Sequence, residues 1–537
     1  MPLIVKKNVR FLTRSVKIGN LFIGGDHSIK VQSMLNVSTH NTTAAIDQIL
    51  RLEMSGCDIV RLAVKNKQEA LDCEVIKNEL IKKNCHIPIV ADVHFYPPAA
   101  MIALDFVDKV RINPGNFINQ TEFSSDENFQ KILQDTLLPL IEKCKRLKKP
   151  LRLGVNHGSL SLRIFKKYGD SIDGMIASIV EFTNVCRQFD FHDLVFSMKT
   201  STPLLTVKAY EKLVLEMQRL GWNYPLHLGV TEAGEGRDGI IRSSIGIGAL
   251  LLEGIGDTIR FSLTNEPEEE VNPAKILLKH IEKRTYQCKQ KSKNLLGDNP
   301  LVLRINTLND FELLIQEKLP LPFAFLVDDE SIFKYIKKTY LGANILQYCD
   351  GMLQDLDNKS TYTLIKLKDF LENTNTNLKS IILEISSLEL QTQELIINVA
   401  SDLGFIFSNG LVNGILVNDL MHYRLVLDIL QNSGLFNYRA EIISCPGCGR
   451  TLYDIQSVVR RIKEKMGHLK NIKIAVMGCV VNGPGEMADA DFGYIGSDAG
   501  KVDLYVKKTC VEKGIDQEEA VDKLSEIIKA HGRWVSN

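Results

Sequence analysis

PIVADVH (88–94), KVRINPG (109–115) and LRLGVNHG (151–158) share one form: a short apolar, β-branched run that ends in polar residues or glycine. A helix-length amphipathic stretch follows each, and the form recurs on both sides. Upstream lie IKVQSM (29–34) and IVRLAV (59–64); downstream lie LVFSMKTS (194–201), PLHLGVTEAG (225–234) and DTIRFSLT (257–264). Eight such runs alternating with helices predict a closed N-terminal (β/α)8 TIM-type barrel. An open doubly wound sheet has the same alternation, but its glycine-rich first turn is missing, since the first turn reads QSMLNVST. The runs carry their Asp, His, Asn, Arg, Lys and Glu at or near their C-terminal ends, the face on which barrel enzymes place their active sites. Ahead of them, SVKIGNLFIGGD (15–26) predicts a hairpin turning at Gly19 and Asn20 that plugs the lower mouth.

The rhythm lapses after Thr264, which sets the barrel at 1–275 and a linker at 276–300, including the polar QCKQKSKNLLGDNP (287–300). Residues 301–435 resume an α/β rhythm (LVLRIN, FAFLVDD, KSIILEIS, NGILVND). Their strand ends lack a dense set of convergent ionisable groups, so this α/β insert reads as structural. Residues 436–537 form a third, α+β domain. EIISCPGCGRTLYDIQSVVRRIKEKM reads as strand, cysteine loop and helix, and IKIAVMGCVVNGPGEM as strand and loop. FGYIGSDAGKVDLYVKK reads as a hairpin turning at Asp498–Gly500, and DQEEAVDKLSEIIKAHG as a closing helix.

Lys+Arg and Asp+Glu both total 65 in the 537 residues, so no net field draws the chain to nucleic acid or anionic lipid. No segment approaches the ~20 apolar residues of a membrane span, and the N-terminus lacks the apolar core of a signal peptide. A cytoplasmic protein is expected, and 11 mostly isolated cysteines suit a reducing compartment.

Three cysteines stand in a pattern. Cys445 and Cys448 flank Pro446 and Gly447 in a tight loop, while Cys479 follows a strand and leads into NGPGE (482–486). A structural zinc normally takes four ligands, commonly as two close pairs, and the second pair is missing. A thioredoxin-type dithiol would leave Cys479 without a role. Three thiolates on a 4Fe-4S cluster leave one iron for a weaker or exchangeable ligand, which is a catalytic arrangement.

SCPGCGR (444–450) together with GCVVNGPGE (478–486) resembles the cluster motifs of the 4-hydroxy-3-methylbut-2-enyl diphosphate synthase family. The barrel carries the same resemblance through VQSM, IVRLAV, ADVHF, VRINPGN, RLGVNHGSL, HLGVTEAG and RSSIGIGALLLEGIGDTIRFSLT, and the insert matches the long, three-domain form. The resemblance implies one 4Fe-4S cluster per chain, held by Cys445, Cys448, Cys479 and Glu486. It implies an oxidoreductase of the non-mevalonate isoprenoid pathway: reductive ring opening and dehydration of 2-C-methyl-D-erythritol 2,4-cyclodiphosphate to (E)-4-hydroxy-3-methylbut-2-enyl diphosphate. Ferredoxin or flavodoxin would supply two electrons. Two-domain members bring cluster and barrel together across a homodimer; with the insert, the cluster domain could instead fold over its own barrel.

A cyclic diphosphate suits guanidinium groups on separate strands, each able to bind phosphate oxygens bidentately. Arg61, Arg111, Arg152 and Arg260 meet that description, with Lys199 as a further charge and Asn113, Asn156, Ser262 and Thr264 as hydrogen-bond donors. Asp92 and His94 share one side of the third strand's end. Glu232 is the favoured proton donor, with His94 the alternate. Two other readings compete: a non-redox iron-sulfur dehydratase, and a zinc-stapled binding module on an inert barrel.

Overall fold

All eight runs form strands: Lys30–Met34, Ile59–Val64, Ile89–Val93, Lys109–Ile112, Leu151–Asn156, Leu194–Lys199, His227–Leu228 and Thr258–Ile259. The computed structural model describes residues 10–118, 126–283, 300–339, 345–349, 352–355, 361–366, 381–385, 393–412, 414–480, 483–487 and 489–535. The eight strands are parallel neighbours, and a bridge from Phe196 to Leu226 joins the two ends of the sheet. Outward residues such as Leu62, Val110 and Leu153 join the helices in one large core. The inward positions are far more polar, and they build the site.

Below them, Val16–Ile18 pairs antiparallel with Leu21–Ile23 around Gly19 and Asn20. Val16, Ile18 and Ile23 pack against Ile59, Val90 and Val195 at the strands' lower ends, so the hairpin closes the bottom with an apolar plug.

One boundary shifts. The linker expected from residue 276 begins later, because the helix Val271–Glu282 continues through the first of those residues. It buries Val271, Ala274, Leu277 and His280 on one face, and that apolar spacing outweighs the lysines around it. Residues 284–299 lie outside the described ones.

The insert closes into a second barrel of seven strands, from Leu301–Ile305 to Gly414–Val417. Met352–Asp355 runs antiparallel to both its neighbours, Ile345–Cys349 and Thr361–Lys366, and the other five joins, the closing pair included, are parallel. Its interior is apolar, with Val302, Ala324, Leu326, Leu346, Ile382 and Leu416. The insert helix Gln393–Asn409 packs along Gly236–Leu252 of the first barrel, with Gly248 facing Ser401 and Gly404 facing Ile245. A buried His280–Asp402 contact of 2.8 Å ties the same two domains.

The third domain is a five-stranded sheet, Glu441–Ser444, Lys473–Met477, Phe492–Asp498, Lys501–Val506 and Thr509–Asp516, with Ile455–Met466 and Gln517–Ala530 over one face. The hairpin around Asp498–Gly500 is present, and Thr509–Asp516 adds an edge strand beyond it. Among the described residues, no helix is long and apolar enough to cross a membrane.

Candidate active site

The cysteine loop of the third domain lies over the C-terminal mouth of the first barrel in the same chain. Ser444 forms a parallel bridge with Ala233, and its Oγ lies 2.6 Å from Thr264 Oγ1. Lys65 Nζ donates to Gly449 O at 2.7 Å, and Arg450 Nη2 donates to Asp92 O at 3.2 Å. These contacts roof a cavity of about 760 Å3, counting space open at its rim.

The cavity gathers Arg61, Asp92, His94, Arg111, Arg152, Asn156, Lys199, Arg260 and Ser262 from the barrel, with Cys445, Cys448 and Cys479 from the roof. Other expected residues have different surroundings. Asn113 accepts from Gly115 N at 3.0 Å and donates to Ser159 Oγ at 3.1 Å, so it shapes its own loop rather than the cavity wall. Thr264 fastens Ser444 and does not line the cavity. Glu232 is fully buried beside the lining residue Thr231, with φ of 53°. A glutamate in that left-handed region is strained backbone of the kind that clusters at functional sites. Glu486 ends the short helix Gly483–Glu486, and its side chain lies outside the described ones.

The four barrel arginines are not equivalent. Arg260 makes a bidentate pair with Glu270 at 2.9 and 3.0 Å, and Arg111 Nη1 binds Asp92 at 2.8 Å. Arg61 instead meets Met34 Sδ through Nε and Nη2, and Arg152 leaves Nε and Nη1 without partners. Burial, then Arg61 and Arg111, push the Arg152 pKa well down; burial, then Arg61 and Arg260, do the same to Lys199. So much uncompensated positive charge in a dry site is what a polyanionic ligand relieves. Gly154 in its strand and Gly229 just past the end of another make the space: a Cβ on Gly154 would lie 2.5 Å from Arg111 Nε, and one on Gly229 2.7 Å from Lys199 Nζ.

Asp92 and His94 are set apart by their partners. Burial opposes ionisation of Asp92, but Arg111, His94 and Arg61 hold its pKa well below the usual carboxylate value. Burial pushes His94 down to about 4, only partly opposed by Asp92. His94 is therefore neutral at pH 7, with Nε2 accepting from Arg111 Nη1. That leaves the proton on Nδ1, which needs an acceptor. Asn116 Nδ2 is assigned 3.0 Å away and its Oδ1 has no partner, so turning that amide over satisfies both groups.

Arg450 is the charged residue lining the cavity that the sequence did not single out. It sits within the quoted SCPGCGR, is 8% exposed, and reaches from the roof to Asp92. A lone arginine closing a glycine-rich cysteine loop was the available signal.

The three cysteines are half-buried and form no disulfide among the described residues. Gly478 N donates to Cys445 Sγ at 3.2 Å. Among the described residues, no three His, Cys, Asp or Glu side chains already stand at metal-ligand spacing. The donor set itself, three sulfurs in one cavity wall beside a cationic floor, fits an iron-sulfur cluster better than a four-ligand zinc.

Two family models match the chain, "GcpE TIM-barrel domain" over residues 13–275 and "GcpE protein C-terminal domain" over 441–530. A 4-hydroxy-3-methylbut-2-en-1-yl diphosphate synthase (flavodoxin) of Protochlamydia amoebophila is 38% identical, covering 97% of this chain and 96% of its own. The same-named proteins of Chlamydia felis and Chlamydia pneumoniae are 39% and 41% identical, covering 98% and 97% of this chain and 98% and 96% of theirs. Identity at that level along almost the whole length, insert included, leaves one assignment: the chain belongs to the 4-hydroxy-3-methylbut-2-en-1-yl diphosphate synthase family.

Proposed function

We propose that this chain converts 2-C-methyl-D-erythritol 2,4-cyclodiphosphate to (E)-4-hydroxy-3-methylbut-2-enyl diphosphate with two electrons from flavodoxin, the donor in its relatives' names. Cys445, Cys448, Cys479 and Glu486 would hold a 4Fe-4S cluster, which supplies one-electron transfer and an iron open to an oxygen ligand. The observation that carries the reading is the convergence of five guanidinium groups and Lys199 with three cysteines in one cavity.

Of the four barrel arginines facing the cavity, Arg61 and Arg152 have no carboxylate partner among the described residues, and they are the primary diphosphate ligands. Arg111 and Arg260 are held in place by Asp92 and Glu270, with Lys199, Asn156 and Ser262 completing the grip. This grip keeps the substrate from leaving between the two electron transfers. The departing oxygen leaves as water and needs protons. Glu232, a buried carboxyl beside the cavity residue Thr231, is the proposed source of one. Asp92 stays ionised and His94 neutral, so both orient Arg111 rather than donate protons. Residues 444–450, lying over the mouth, exclude water from this chemistry.

The test is anaerobic purification with iron and sulfide analysis, EPR, and turnover of the cyclic diphosphate with reduced flavodoxin. Absence of iron, or turnover that consumes no electrons, would refute the reading and favour zinc or a non-redox dehydratase respectively.

A further inference from the structure

The third domain meets the barrel along a seam that runs outward from the cysteine loop. Gly485 lies against the carbonyl of Gly158, and His157 Nδ1 is 3.8 Å from Asp489. Four residues on, the barrel helix Leu162–Tyr168 begins, and Lys508 Nζ of the third domain stands 5.8 Å over its Phe165 ring. The seam therefore continues from the neighbourhood of Cys479 to the turn between Val506 and Thr509.

Its surface is unusual in two respects. Large apolar side chains face solvent on both domains: Leu162 is 64% exposed, Phe165 43%, Val480 46% and Val511 44%. Val480 directly follows Cys479. Around them stand the exposed lysines Lys166, Lys167, Lys507, Lys508 and Lys513, none with a carboxylate at ion-pair distance among the described residues. The nearby carboxylates Asp489 and Glu512 face groups of their own, the His157 ring and Lys523. Apolar side chains within a rim of one charge are the pattern of a transient protein interface.

We propose that this seam, from Val480 through Leu162 and Phe165 to Lys508, is where the reduced flavodoxin docks. The inference rests on the proposed function and adds the location of the donor. Charge complementarity fixes the kind of partner: the lysines steer an acidic flavoprotein, and the apolar centre lets its flavin edge approach the loop of Cys479. The chain as a whole is neutral, so this local concentration of unpaired lysines, rather than net charge, supplies the attraction. The position also leaves the substrate cavity's own lining untouched, since none of these residues belongs to it.

The experiment uses the cluster-loaded protein and three variants, Lys507→Glu with Lys508→Glu, Lys166→Glu with Lys167→Glu, and Phe165→Ser. Binding of oxidised flavodoxin is measured by calorimetry at low and high ionic strength. Turnover is measured with reduced flavodoxin and, separately, with dithionite-reduced methyl viologen, which needs no docking surface. Each lysine pair should weaken flavodoxin binding about tenfold or more at low salt and flatten the salt dependence. Phe165→Ser should weaken binding while keeping the salt dependence. Viologen-driven turnover should stay at the wild-type level in all three. Unchanged flavodoxin binding in all three variants overturns the proposal. So does a loss of equal size with viologen, because the residues would then serve the enzyme rather than the donor. If wild-type protein fails to turn over even with viologen, the proposed activity falls, while the binding measurements still judge the surface.

Discussion

Replacing Arg152 and Arg260 with methionine should move stability in opposite directions while lowering substrate affinity in both. Arg260 and Glu270 are each 2% exposed and joined by two hydrogen bonds, and Glu270 also accepts from Ser33 Oγ at 2.7 Å. Arg260→Met leaves that carboxylate buried without its counter-charge, a loss of about 3–5 kcal/mol. Arg152 is 1% exposed, has two nitrogens without partners and lies close enough to Arg61 and Arg111 for both to depress its pKa. Methionine of similar length there removes a repelled buried charge, so stability should hold or rise by ~1–2 kcal/mol. Affinity for the cyclic diphosphate should fall by ~2–5 kcal/mol in Arg152→Met, because the ligand loses a cation for which no carboxylate among the described residues competes. Urea unfolding followed by circular dichroism reads the first quantity, and calorimetry on variants with a wild-type cluster spectrum reads the second. If Arg152→Met unfolds as readily as Arg260→Met, or binds substrate as wild type does, the division of the arginines into held and free groups is wrong.

Serine at Cys445, Cys448 or Cys479 should abolish iron content and turnover together, whereas Glu486→Gln should keep three thiolates and lose turnover with an altered EPR spectrum. Arg450→Met should loosen the roof, seen as faster hydrogen exchange in 444–452, and Arg450→Lys should restore only part of the protection because it lacks the planar fork. The pH dependence follows from His94. Its folded pKa of about 4 lies below the ordinary 6.5, so between those values the unfolded chain binds a proton that the folded chain does not. The His94 contribution is full above pH ~6.5 and is lost as pH falls toward 4, by at most about 3 kcal/mol. His94→Asn should flatten urea stability across that window and leave it unchanged at pH 8.

The first barrel was legible because each strand is a local signal and closure adds only one further pairing, Phe196 to Leu226. The cationic wall was legible for the same reason: inward positions alternate, so Arg61, Arg111, Arg152 and Arg260 could be placed from the strand pattern alone. What escaped were relations between distant segments. Nothing near Arg260 in sequence reveals that Glu270, on the next turn of chain, occupies its fork. Asn113 and Thr264, expected to donate to the ligand, also meet Ser159 and Ser444, contacts that the sequence cannot show. The insert's closure was hidden too, since seven short strands carry no mark of which pair completes the ring.

The insert explains a feature of the first barrel that its own sequence leaves puzzling. In Gly236–Leu252 every residue from Gly239 to Leu252 is buried, although an outer barrel helix normally keeps a polar face in water. The run of small and apolar residues in GIIRSSIGIGALLL makes sense only if something covers its outer side, and the insert helix Gln393–Asn409 does so. The same contact fixes where the chain can go next. Leu420–Ser433 also packs on this helix, and beyond it Arg439 binds both Asp238 and Asp428, at 2.8 and 3.0 Å. Arg242 binds Asn432 and approaches Glu441 at the first strand of the third domain. These polar ties fasten the start of that strand beside the barrel's upper rim, and three residues later Ser444 forms its bridge to Ala233. These contacts give the insert a structural means of placing Cys445 at the mouth of the barrel that precedes it in the same chain.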